Sequence, residues 1–261
     1  MPLNAFLVYI HIMLRSYSKS NLVEDPQEDY TFHTTRNRFI WSSLSFQAGL
    51  INAGGFLACH RFVTHTTGFA TQFGADLALF KFDEALSMLL VPLFFLSGAM
   101  LSAYFVDRRI HQNDRPKYYV VFALMTLFLF TVIVLSLAGF FGKFGEQLSV
   151  WADFTMIALL CLTSGLQNAT LSTASHNKIR TTHLTGITTD LGIGIVRHFY
   201  AKNDLEVQKN KMRAIIIFAF ILGSAIGAFL FMHLEYWGFT LPLAITTYLY
   251  FMARKEWLSH D

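Results

Sequence analysis

Charge is what this sequence has least of. Of its 261 residues, 14% are Asp, Glu, Lys or Arg, whereas a soluble domain carries about 25%. So few charges cannot cover a chain that is 54% apolar, with a mean hydropathy of +0.43. The shortage excludes a disordered chain, a coiled coil and a polar nucleic-acid binder. Cysteine is scarce too: Cys59 and Cys161 are the only two, with no CxxC and no His/Cys cluster. That argues against a disulfide framework or a zinc site. Catalytic signatures are absent as well, with no GxSxG, no Walker loop, no HExxH and no GxGxxG leading into a βαβ pattern. The expectation is a protein without cofactor or metal that is not an enzyme.

What is present is apolar length. Six runs stand out, at 40–58, 85–106, 118–140, 152–173, 214–234 and 238–253. About 20 residues cross a bilayer core, so most of these suffice as spans. Two weaker segments, 62–80 and 181–198, are rich in Gly and Thr and carry ionisable residues. Trp41, Trp151, Trp237 and Trp257 fall near run ends, where membrane interfaces anchor indoles. Residues 2–14 (PLNAFLVYIHIML) are apolar but too short to span. No basic residue precedes them and no small-x-small site follows, so they fit an interfacial helix better than a signal peptide. The chain therefore divides into an N-terminal extension (1–38), a first membrane unit (39–140), a second (152–253) and a tail (254–261).

The two units repeat each other. Residues 64–74 read THTTGFATQFG and residues 182–192 read THLTGITTDLG, agreeing at six of eleven positions with a spacing of 118. Upstream, Gly49 and Asn52 pair with Gly165 and Asn168, and His60 with His176, at a spacing of 116. Downstream, FLSGAMLSA (95–103) matches FILGSAIGA (220–228), pairing Phe95 with Phe220 and Gly98 with Gly223. Three matches in one order point to a duplication.

Charge sets the orientation. Arg108, Arg109, Arg115 and Lys117 crowd loop 107–117, and Lys202, Lys209, Lys211 and Arg213 crowd loop 199–213. The positive-inside rule makes both loops cytoplasmic. Arg36 and Arg38 do the same for the N-terminus, and Arg254 and Lys255 for the C-terminus. Loop 141–151, with Lys143 alone, and loop 235–237, with no basic residue, read as outside. The parity works only if 62–80 and 181–198 dip into the membrane and return, or stay partly unwound. Each unit then has three spans, and an odd number turns the second upside down relative to the first. Transporters built this way form their site from broken helices near the midplane.

The repeated motif is the candidate site. Re-entrant backbone survives only where protein or a wet cavity satisfies it. Gly68, Gly74, Gly186 and Gly192 permit close approach, and the hydroxyls of Thr64, Thr67, Thr71, Thr182, Thr185 and Thr189 can bond freed backbone or a ligand. Two half-helix N-termini favour an anion, with Thr64 and Thr182 as N-caps and Arg61, Lys178 and Arg180 adding positive field. Gly49, Asn52, Gly165 and Asn168 would face the same cavity. His65 and His183 could gate, relay protons, bind substrate or simply bond across helices. Asp190 stands where the first copy has Gln72, and Asp76 lies one turn beyond that glutamine. An acid at membrane depth is a proton-coupling candidate, with a salt bridge as the alternative. Helix packing through small residues would account for the same glycines and threonines.

The segments AGLINAGGFLACHRFVTHTTGFATQFG (48–74) and SGLQNATLSTASHNKIRTTHLTGITTDLG (164–192) resemble the YoaK family of bacterial inner-membrane proteins over roughly 40–253. Many members have Asn after the first Thr-Gly, where this chain has Phe69. The resemblance implies a multi-pass membrane protein and supplies no substrate.

The expected fold is an all-α membrane protein: six transmembrane helices in two inverted three-span repeats, each with a re-entrant or broken Gly/Thr-rich segment. It would lie in the bacterial inner membrane with both termini cytoplasmic. The expected function is a secondary transporter or channel for a small polar, possibly anionic, solute. A membrane-embedded enzyme acting on a lipid-linked substrate and a non-transporting scaffold are the alternatives. Expected partners are the lipid bilayer, the solute and, in a homo-oligomer, further copies of the chain, with no nucleic acid.

Overall fold

The structure is a computed structural model and describes residues 35–64, 66–146, 150–175, 184–201 and 204–259. The expected interfacial helix at 2–14 lies outside them. Helices follow one another as α1 (Thr35–Cys59), α2 (Thr67–Ala78), α3 (Phe82–Phe105), α4 (Asp107–His111), α5 (Tyr118–Leu137), α6 (Val150–Ala174), α7 (Leu184–Ala201), α8 (Asp204–Leu234), a 3-10 turn (Glu235–Phe239) and α9 (Thr240–Leu258). No strand occurs among the described residues.

Three stretches are long and apolar enough to cross a membrane: Tyr118–Leu137, Trp151–Ala174, and Glu206–Leu258, which contains most of α8 with the 3-10 turn and α9. A helix bonds its own backbone, which is what a lipid surrounding demands. Large apolar side chains point outward along the bundle, among them Leu93, Leu96 and Met100 on α3, Leu127 and Phe130 on α5, and Phe218 and Phe229 on α8. In water such a belt would drive association; in a bilayer it needs no cover. The described residues are thus all-helical, with three stretches suited to a membrane. Pro242 sits in the first turn of α9, where its missing N–H has no intrahelical partner to lose.

Two helix pairs make the frame. α1 and α8 run parallel: the Ser45 hydroxyl donates to Ile216 O at 2.8 Å, Gly49 abuts Phe220 and Ser224, Gly227 abuts Leu50 and Ala53, and Gly54 abuts the Phe231 ring. α3 and α6 also run parallel, with Gly165 against Phe95 and Ala99, Gly98 against Leu162 and Leu166, and the Ser102 and Thr170 hydroxyls bonded at 2.8 Å. A Cβ added to Gly49, Gly223, Gly98 or Gly165 would in each case fall on a backbone carbonyl oxygen of the partner helix. Small residues at a membrane helix crossing allow this approach. Each crossing joins a helix of the first unit to one of the second, so the units are packed crosswise.

α5 and α9 run antiparallel, the Tyr119 ring meeting Trp257 and Phe122 clustering with Leu249. α2 packs on α3, and α7 on α8. One end of the bundle, the basic end, gathers Arg36, Arg115, Glu256 and Trp257, with the Arg109 guanidinium over the Trp257 ring and Arg36 donating to Glu256 at 2.8 Å. The other, the aromatic end, gathers Phe141, Tyr236 and Phe239.

α8 begins at Asp204, ten residues before the apolar run expected at 214, and local polar contacts account for the extension. Arg213 donates to Glu206 and to Asn210, both at 2.7 Å, one to two turns apart on the same helix face. Gly194 of α7 leaves the space, since a Cβ there would fall on this trio.

Candidate functional site

α1 ends at Cys59, and the chain then reverses. His60 adopts a left-handed φ of 55°, which turns residues 61–64 back along the helix they have just left. The Val63 side chain covers Gly55, and Val63 and Thr64 are fully buried. The Cys161 thiol donates to Val63 O at 3.6 Å. Cys161 lies near the middle of α6, so the loop reaches the middle of the bundle. The Thr64 hydroxyl donates to Asn52 Oδ1 at 2.9 Å. Asn52 sits seven residues before the end of α1, a retreat of roughly 10 Å at 1.5 Å per residue.

From this depth α2 starts out again. Its N-cap, Thr66, makes no side-chain cap bond, so among the described residues no N-cap side chain covers the first N–H groups at the positive end of the helix dipole. The buried residues of α2 are Phe69 and Asp76, seven apart and hence on one face. Gln72 donates to Asp76 Oδ1 at 2.9 Å; Asp76 Oδ2 is buried and has no partner among the described residues. The expected 62–80 segment is therefore a loop that goes in and a 12-residue helix that comes back.

The counterpart loop, residues 176–183, lies outside the described residues, and with it Lys178, Arg180, Thr182 and His183; His65 does too. The helix after that loop, α7, is described and matches α2. Ile187 of α7, the repeat partner of Phe69, is buried against Trp41, Leu171, Met212 and Ile216. Phe69 is buried in a cluster that includes Met88, Val91 and Ile157. Trp41 and Ile157 are again 116 apart.

The structure brings some expected site residues together and separates others. Asn52 and Thr64 are bonded; Asn168 has its Oδ1 buried without a described partner. Gly49 and Gly165 are helix crossing points. Thr67, Gly68, Thr71, Thr185, Thr189 and Asp190 are exposed, and Gly186 is half-buried. A Cβ on Gly74 or Gly192 would meet nothing within 4 Å. The motif thus splits into a buried entrance and an outward face.

Two buried features were not singled out by the sequence. Gln47 Nε2 donates to Gln167 Oε1 at 3.0 Å, and Gln167 Nε2 donates to Leu44 O at 2.8 Å, tying α1 to α6. Both side chains are buried, and Gln47 Oε1 has no described partner. The available signal was a polar residue inside an apolar run. The second feature is Glu206, 3% exposed, paired with Arg213 at 2.7 Å and Arg197 at 3.7 Å. Asp76 and Gly194 are 118 apart. At this position the first unit buries an α2 carboxylate, whereas the second has a glycine over which α8 supplies Glu206.

Just beyond the glutamine pair lies a cavity of about 390 Å³ that opens at the basic end between α1, α5, α6 and α9. Among the described residues no group of three or more His, Cys, Asp or Glu side chains is placed to hold a metal ion. Buried amides, hydroxyls and an uncapped helix start are hydrogen-bonding chemistry. They can hydrogen-bond a small polar molecule.

No curated protein and no solved structure matches the chain. The family described as "Protein of unknown function (DUF1275)" matches residues 40–252, and the chain belongs to it.

Proposed function

We propose that this member of the DUF1275 family is a secondary transporter or channel for a small polar solute, with its site where the re-entrant loop meets the buried amides. One observation carries the reading. The chain spends residues 60–64 entering the bundle without helical structure, then leaves as a helix whose N-cap residue, Thr66, makes no side-chain cap bond. Non-helical backbone at membrane depth is tolerated where it lines a cavity or is buried in protein, and is the usual sign of a transport site.

Six spans in two inverted repeats support the mechanism. The crosswise pairs α1/α8 and α3/α6, each crossing on glycines 116 or 125 apart in the repeat, are what a two-fold axis in the membrane plane would produce. The Lys- and Arg-rich basic end is then cytoplasmic, with both termini, in a bacterial inner membrane. The likeness to the YoaK family fits that placement. The α2 N-terminus favours an anionic group, while Gln47 Oε1 and Asn168 Oδ1, acceptors without a partner among the described residues, suit hydroxyl or ammonium donors. Of the two proton-coupling candidates, Asp76 is buried with one oxygen unpartnered among the described residues, whereas Asp190 is exposed. Asp76 is the better placed.

Purified protein in liposomes loaded with a pH-sensitive dye tests this. A panel of small carboxylates, inorganic phosphate, amines and polyols would be applied outside. The expected result is a protein-dependent signal for one class, abolished by Asn52→Ala and by Gln167→Ala. If no class gives a signal, and cysteines at 68 and 186 never react with aqueous thiol reagents from either side, the reading is wrong.

A further inference from the structure

We propose that the cavity at the basic end is the open vestibule of the permeation route, and that the Phe231 ring is the centre of a closed gate at the aromatic end. The inference rests on the transport reading and specifies how its site is reached.

The cavity is lined by Trp41, Leu44, Phe122, Thr170, Leu249 and Met252, with Arg36, Arg115 and Glu256 at the rim. Its volume falls in the range of small-molecule sites. Its floor adjoins the buried amides, because Leu44 O accepts from Gln167 Nε2 and Gln47 comes one turn later on α1. A solute at the floor is thus one side chain from Gln47 Oε1, which no described residue bonds.

The same place in the other unit is filled. Stepping by the repeat spacing of 116, Ile40 becomes Met156, Leu44 becomes Leu160, Ala174 becomes Ala58 and Thr170 becomes Gly54. Met156, Leu160 and Ala58 are fully buried in a cluster with Phe141, Phe231 and Phe239. The Phe231 ring lies in the notch left by two glycines, since a Cβ on either Gly54 or Gly238 would fall on it. Phe144 lies parallel to it at 6.1 Å and Phe239 meets it edge-on at 4.7 Å. The Tyr236 hydroxyl, bonded to Phe141 O at 3.2 Å, ties the turn before α9 to the segment after α5. At the spacing of 125 that pairs Gly98 with Gly223, Phe231 corresponds to Val106. Val106 is packed in the cluster beside the cavity. An aromatic ring at one end and an isopropyl group at the other account for one end being full and the other hollow. A carrier with two matching ends, one open and one shut, has the arrangement that alternating access requires.

The test uses the full chain in liposomes, with Cys59→Ala and Cys161→Ala as background and single cysteines Ala174→Cys in the cavity and Ala58→Cys at its counterpart. The probe is a membrane-impermeant, charged methanethiosulfonate. The expected result is that Ala174→Cys reacts from the basic-end side, and Ala58→Cys from neither. Adding Phe231→Val makes Ala58→Cys react from the opposite side at least about tenfold faster and slows Ala174→Cys. Phe144→Ala, which unstacks the ring from outside the notch, should do the same to a smaller degree and serves if Phe231→Val does not fold. The inference is overturned if Ala174→Cys is inert, if Ala58→Cys reacts with Phe231 and Phe144 intact, or if neither gate variant exposes it. Flux in the same vesicles separates the two claims: switching accessibility without flux of any solute sinks the transport reading alone, whereas flux without switching sinks the gate alone.

Discussion

Gly165→Ala tests the packing most sharply, because the structure sorts the duplicated glycines into two kinds. At Gly165 the new methyl would fall on Phe95 O and come within 3.0 Å of Phe95 C and Ala99 N. All three atoms are backbone, so no side chain can swing away. α3 and α6 would have to separate by about 1 Å, a gap that forfeits a quarter to a half of each contact along the crossing. Overpacking of this kind costs about 1–3 kcal/mol. Gly74 and Gly192, equally duplicated, would meet nothing within 4 Å. There, removing glycine's backbone entropy in a helix is worth up to about 1 kcal/mol of stabilisation. Thermal unfolding of detergent-purified variants, read by intrinsic fluorescence and by survival on a sizing column, checks the signs. Gly165→Ala and Gly49→Ala should melt earlier, and Gly74→Ala and Gly192→Ala at the same temperature or later. Equal destabilisation at all four would refute the crosswise packing and would mean that something covers the outward face of α2 and α7. Intact stability with lost flux at Gly74 would assign that face to the solute.

The remaining predictions concern charge, the buried amides and topology. Glu206→Gln should cost about 3 kcal/mol in the same melts, because it strands the largely buried Arg213, while Arg197→Gln, at a half-exposed cation 52% open to its surroundings, should cost under about 1 kcal/mol. Gln167→Leu should lose about 1–3 kcal/mol by leaving Gln47 without its acceptor, and Gln47→Leu with Gln167→Leu should recover most of that while still abolishing flux. Reporter fusions after 112 and 205 and at the C-terminus should report the cytoplasm and a fusion after 145 the outside; an outside location for 205 would remove the inverted arrangement.

Much of the fold was legible because membrane helices announce themselves by apolar length. The runs at 118–140 and 152–173 became α5 and α6 almost residue for residue. The reversal after α1 was legible for a different reason. Charge parity called for a segment that dips in and returns, and at His60 the chain does fold back, burying Thr64. What could not be read was which face of each short helix is buried. Phe69, Thr71 and Asp76 sit within eight residues, yet only the first and last point inward. A motif of small polar residues carries little amphipathic contrast to reveal this. The glutamine pair was hidden because its members, 120 residues apart, are not repeat partners. Gln47 stands opposite Thr163 and Gln167 opposite Ile51 in the register of 116, so no self-comparison could bring them together. Glu206 was hidden because the loop rule counts basic residues, and it lies among four of them.

The crosswise packing also bears on what can move. In many duplicated carriers the two halves rock against each other as rigid bodies. Here the tightest contacts, the carbonyl-on-glycine crossings, run between the halves, whereas α1 and α3 of the first half both pack on α6 of the second. A motion that parted the halves would break both crossings at once. The rigid units are then the pairs α1/α8 and α3/α6, each built from one helix of either half. The surface between them holds the Gln47–Gln167 bond and the contact of Cys161 with Val63. These are a few directional contacts in place of close-packed backbone, so they can be exchanged for solute hydrogen bonds without opening a void. On the proposed transport reading, the weak seam, and not the strong one, lies across the site, and solute that replaces the bond between the two glutamines would loosen the seam it enters through.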